Sequence, residues 1–198
     1  MLSTALTVIG SRWIDRLYLK EDAPLTFPEE ISARSRFRRP LLSIGLFFCV
    51  LLSVQRPPVD AGYLIAASFF LLLITATDFE QYVIFDRMTL PFAVAGLIAA
   101  FHLQLPIVDR LTACAVGGGV FLLLAIVSRG ALGGGDIKLV AALGLWFGTE
   151  KLIEIVLYGS IFGGIAALFM LLIKKADRKS VFAYGPYFAL TALYFLFN

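Results

Sequence analysis

Apolar residues fall in long blocks along this chain, at roughly 1–11, 40–54, 61–77, 89–104, 111–127, 137–149, 152–173 and 182–197. An apolar helix of about 18 or more residues spans the roughly 30 Å hydrocarbon core of a bilayer. Several of these blocks are shorter, and such helices cross by recruiting polar flanks or by local thinning of the bilayer. The pattern predicts an all-α, polytopic integral membrane bundle of about seven or eight spans, the first of them short. Glycine-containing stretches inside the blocks, Gly117 to Gly119 and Gly159 to Gly164, predict close helix packing.

Composition supports the same class. The chain is 60% hydrophobic and 16% charged, whereas soluble domains are about half apolar and a quarter charged. One sizeable hydrophilic segment interrupts the blocks, "RWIDRLYLKEDAPLTFPEEISARSRFRRP", and Pro24, Pro28 and Pro40 argue against a long helix there. This divides the chain into a short N-terminal segment with a reduced cytoplasmic region, 1–39, and a transmembrane domain, 40–198. The opening "MLSTALTVIGSRW" lacks the basic region of a cleavable signal peptide. It reads as a short first span, or as the tail end of one.

Charge placement sets the orientation. If the spans alternate, fourteen of the seventeen Lys and Arg residues fall on one side, leaving Arg56, Arg110 and Lys151 on the other. Basic residues in short loops stay on the cytoplasmic side. The hydrophilic segment and the loops beginning at Asp78, Ser128 and Lys174 are therefore expected in the cytoplasm. Asp78 ends an inward-going span and Asp136 begins an outward-going one, so both carboxylates are expected at the same face and similar depth.

Cys49 and Cys114 are each isolated in apolar runs, and His102 is the single histidine. A structural metal site needs several such ligands at short spacing, so no metal and no cofactor is expected. Acids at membrane depth are costly and usually face a watery cavity or do chemical work. Taken singly, Asp78 reads equally well as an interfacial anchor, Asp136 as a helix N-cap, and Asp86 best as an N-cap. The pair says more. Two neighbouring carboxyl groups share a proton, so one can deprotonate a water while the other protonates a carbonyl oxygen. The three glycines before Asp136 read as a hinge that lets its loop approach Asp78.

These residues resemble the type IV prepilin peptidases. "TDFEQYVIFDRMTLP" is similar to that family's first motif, "GGGDIK" (Gly133 to Lys138) to its Gly-x-Gly-Asp motif, and "AYGPYFALTALY" (Ala183 to Tyr194) to its Gly-Pro-containing last span. The resemblance implies an aspartic endopeptidase of the cell inner membrane with its active site facing the cytoplasm. Its partners would be a prepilin or pseudopilin precursor with a basic leader and apolar helix, and membrane lipid, but no nucleic acid. Carried over, Asp78 and Asp136 form the catalytic pair, Gly133 and Gly135 shape the loop, and Asp86 is a motif residue without an assigned role. Lys138 is read either as a cation favouring the ionised carboxylate nearby or as a snorkelling anchor. Ile84-Phe85-Asp86 replaces the family's Ile-Pro-Asp. The cysteine-bearing cytoplasmic domain of larger members is reduced to about 30 residues, too few for an independent core, so methyl transfer is not expected. The basic cluster Arg34 to Arg39 is expected to act only as an anchor near acidic headgroups. A degenerate, non-catalytic homologue and a small ion-coupled transporter using the same aspartates stand as alternatives.

Overall fold

A computed structural model describes residues 1–20, 23–129, 132–174 and 183–198. Among these residues there is no strand, and the helices are α1 (Leu2–Tyr18), α2 (Ile31–Arg34), α3 (Arg38–Ser53), α4 (Pro58–Gln81), α5 (Asp86–His102), α6 (Ile107–Val127), α7 (Gly134–Lys174) and α8 (Gly185–Phe197). Prolines mark several starts. Pro58 and Pro186 lie in the first turns of α4 and α8, where the missing N–H has no intrahelical acceptor to lose. α4 stops at Tyr82, whose left-handed backbone (φ 55, ψ 37) returns its N–H to the Asp78 carbonyl at 2.9 Å.

By length and composition, α4, α6 and residues Gly134–Leu172 of α7 can each cross a membrane. Only 11% of the most apolar window of α6 is buried in the bundle, and Val120, Leu123, Ile126 and Val127 stand open. An apolar face of that extent is not left to water by a soluble monomer. It is the outer surface of a helical membrane protein.

The blocks 137–149 and 152–173 emerge as one helix with a sharp break. Gly148 (φ 73, ψ −177) is non-helical, in a region that only glycine occupies without strain. A Cβ there would collide with the Asp109 carboxylate. The start of α6 caps both broken ends. Arg110 donates to the carbonyls of Leu145 and Trp146, and Asp109 accepts the Thr149 N–H at 3.2 Å. The first half of α7 then runs antiparallel to α6, so closely that a Cβ on Gly144 would lie 2.5 Å from the Cys114 nitrogen. The second half returns beside α8, with Gly159 facing Phe188 and Gly163 facing Tyr184.

The first helix differs from expectation. α1 does not end near residue 11 but continues through Arg12, Asp15 and Arg16 to Tyr18. Nothing in that stretch breaks a helix, and Thr7, Gly10, Ser11, Ile14, Leu17 and Tyr18 form a continuous buried stripe against the bundle. The expectation of no long helix from Arg12 to Pro40 thus fails over 12–18, whereas the described residues from Pro28 to Phe37 form only short turns. Pro40 itself sits in the first turn of α3.

Candidate active site

Asp78 lies in the last turn of α4, and Asp136 is the third residue of α7. At the head of α7 the Gly133 carbonyl accepts the N–H groups of Asp136 and Ile137. Asp136 is thus inside the first turn and is not its N-cap. The glycines act differently from the expected hinge, since Gly134 and Gly135 are helical. Gly135 is small because the Ile84 side chain lies on it: a Cβ there would stand 2.8 Å from Ile84 Cβ. At Gly133 a Cβ would lie 3.1 Å from Asp136 Oδ2.

The two carboxylates meet at the start of α8. A Cβ built on Gly185 would stand 2.5 Å from Asp78 Oδ2 and 3.3 Å from Asp136 Oδ1, so the two oxygens are no farther apart than the sum of those distances. Asp78 is 4% exposed, and Asp136 is close enough to act on it electrostatically. The Gly185 backbone faces both groups. Yet Asp78 Oδ2 and Asp136 Oδ1 are buried without a hydrogen-bond partner. Buried polar atoms are nearly always bonded, and exceptions concentrate where chemistry is done. Among the described residues, no group of three or more His, Cys, Asp or Glu side chains is placed to share a metal ion.

With this geometry in place, comparison with known proteins is decisive. The type IV leader peptidase family model matches residues 65–168. The chain belongs to the type IV leader peptidase family. The matched part of this leader peptidase family member carries both aspartates and the motifs around them. It is similar to proteins named prepilin leader peptidase/N-methyltransferase. One, from Xanthomonas campestris pv. campestris, is 31% identical over 132 residues, covering 64% of this chain and 46% of the relative. One from Pseudomonas putida is 29% identical over 168 residues, covering 79% and 57%. A third, from Dickeya chrysanthemi, is 31% identical over 164 residues, covering 78% and 58%. The chain therefore spans about half the length of these relatives. No solved structure matches it.

Asp86 and Lys138 do not join the carboxylate pair. Asp86 is the first residue of α5 and makes no capping bond, which corrects its reading as an N-cap. Its carboxylate instead receives Lys138 Nζ at 2.7 and 2.8 Å. Lys138 therefore neutralises Asp86, and its ammonium is turned to the loop carrying Ile84. A cavity of about 430 Å³ opens beside this pair, between Leu17 of α1, Lys20 just beyond it, Pro24 and the 83–87 connection.

Two features near the site escape a reading of sequence alone. Behind Asp78, Glu80 is buried and receives Arg38 through Nε at 2.8 Å and Nη2 at 2.7 Å, and Tyr18 Oη at 3.1 Å. Arg38 also reaches Asp15 at 2.5 Å. This corrects the reading of Arg34 to Arg39 as a lipid anchor only, because Arg38 is 3% exposed and Arg34 lies over the Phe27 ring, 3.6 Å from its centre. Next in sequence, the Gln81 amide exchanges two hydrogen bonds with the Phe27 backbone, tying the polar segment to the end of α4. The second feature is Gly185, whose signal was the Gly-Pro step opening the last apolar block.

Proposed function

We propose that this protein is a membrane aspartic endopeptidase. It removes basic leader peptides from type IV prepilins or pilin-like secretion proteins at the cytoplasmic face of the inner membrane. The observation that carries this reading is the pair of buried, unpartnered oxygens, Asp78 Oδ2 and Asp136 Oδ1, within reach of one point. Family membership and the names of the relatives support the substrate class.

In the proposed reaction one carboxyl is ionised and the other holds a proton, a division that adjacent acids adopt readily. The ionised member takes a proton from water as the water oxygen bonds to the scissile carbonyl carbon. The protonated member gives its proton to the carbonyl oxygen. Collapse of the tetrahedral intermediate breaks the C–N bond, the proton taken from water passes to the departing nitrogen, and the hydroxyl made from the carbonyl oxygen returns its proton to the carboxylate that gave it. No other cofactor is required by this scheme. Gly133 and Gly135 shape the approach to Asp136.

The test is cleavage of a prepilin with a basic leader by purified protein in detergent. Asp78→Asn and Asp136→Asn should each abolish cleavage while protein abundance stays unchanged, since each removes half of the acid–base pair. Normal activity in either variant would sink the dyad reading. We further infer that processing proceeds without methylation. The segment between α1 and α3 contains no cysteine, and its Phe27 and Arg34 are bonded to the end of α4. Mass spectrometry of the processed N-terminus with S-adenosylmethionine present should show no added methyl group. An enzyme-dependent gain of one methyl would overturn this.

A further inference from the structure

Gly185 takes no part in the proposed proton transfers, yet it stands against both carboxylates at once. It is buried and opens the thirteen-residue α8. The next donors of that helix are not directed at the pair. Pro186 has no N–H, and the amides of Tyr187 and Phe188 bond back to the Tyr184 carbonyl. The Gly185 amide is left facing Asp78 and Asp136, at the positive end of the α8 dipole, where negative charge is favoured.

The space beside it is equally specific. A Cβ would lie 2.5 Å from Asp78 Oδ2, 2.7 Å from Ile84 Cδ1 and 3.3 Å from Asp136 Oδ1. No carbon tolerates the first of these contacts. Only the absence of a side chain at 185 lets both unpartnered oxygens lie against the start of α8.

We propose that Gly185 is a positioning residue of the active site. By lacking a side chain it lets both carboxylates close against the start of α8 in the geometry the reaction needs, and its amide steadies the charge of the pair. This rests on the reading of the two aspartates as the catalytic pair. It predicts a loss in turnover and not in substrate binding, because a methyl group there displaces the carboxylates and not the substrate.

The experiment compares wild-type, Gly185→Ala, Gly163→Ala and the double variant Gly185→Ala/Ile84→Val, purified in detergent. The substrate is a synthetic peptide with a basic leader and an apolar tail. Melting temperature, kcat and KM are measured. Ile84→Val removes Cδ1 and so relieves the clash with that side chain, but not the contact with the carboxylates. Gly185→Ala should lower kcat by about 100-fold or more, with KM within about threefold. The double variant should recover melting temperature without recovering kcat. Gly163→Ala, whose Cβ meets only aromatic rings, should lower melting temperature while folded protein keeps its kcat. Retained kcat in Gly185→Ala, a loss confined to KM, or recovery of kcat in the double variant would overturn the proposal. So would failure of both alanine-185 variants to fold, which would make the glycine a packing residue. A wild-type protein that does not cleave, or an active Asp78→Asn, would instead refute the underlying assignment of the aspartates.

Discussion

Lys138 illustrates how the partner of a charge decides its role. Two residues beyond Asp136, its ammonium bonds to both oxygens of Asp86, and the two side chains are 56% and 66% exposed. A pair so open to solvent is worth about 0–1 kcal/mol. Asp86→Asn should therefore cost little stability, and should reduce leader cleavage less than loss of either paired aspartate. The charge-exchanged variant Asp86→Lys/Lys138→Asp should restore most of what either single reversal loses. Cleavage rates and melting temperatures of the three variants form the test. A double variant no better than the singles would show that the two side chains act separately. Ile84, by contrast, acts through volume alone, filling the space between Gly135 and Gly185.

At the scale of elements, the end of α4 is fastened from behind. Glu80 lies two residues past Asp78, and its partners come from α1 (Tyr18) and α3 (Arg38). Both sides of the Arg38–Glu80 contact are almost fully enclosed. Removing one member of such a pair strands a charge, at a cost of about 3–5 kcal/mol. Arg38→Ala should lower the melting temperature sharply, and Glu80→Gln should lower it less because its oxygen and amide can still bond. Arg39→Ala, on the exposed side of the same turn, should have little effect. Equal, small shifts for Arg38→Ala and Arg39→Ala would return the whole cluster to the role of lipid anchor. The Gly148 break is held in the same manner, by adjacent residues of α6 that cap the two halves of α7.

Over the whole molecule, two ends can be told apart. Asp78, Asp86, Asp136 and Gly185 share one end. At the other, Arg56 approaches the Phe197 carbonyl, Tyr63 meets His102, and Asp109 meets Thr149. Successive long helices therefore alternate in direction. We propose that the end with the carboxylates is cytoplasmic, since most of the basic residues gather there. A reporter inserted after Arg129 should read cytoplasmic, and one inserted after Gln104 should read external. A reversed result at either position would place the aspartates outside.

The apolar blocks by themselves determined an all-helical membrane bundle, because segments of that length and composition have only lipid or each other as partners. The alternation of basic loops likewise put Asp78 and Asp136 on one face before any contact was known. The motif spacing also carried family membership, through "DFEQYVIFD" and "GGGDIK". Other features depended on contacts between residues far apart in the chain. The extension of α1 required a buried stripe whose partners are α3 and α4. Lys138 could be assigned to Asp86 only once the 83–87 connection was placed, and Arg38 to Glu80 only once α1, α3 and α4 were packed. Gly185 lies 107 positions after Asp78 and 49 after Asp136, and nothing local to "AYGPYF" reports that both carboxylates face it. Hydrophobic periodicity records how much of each residue is removed from water. Which buried polar groups then face one another is decided by tertiary packing alone.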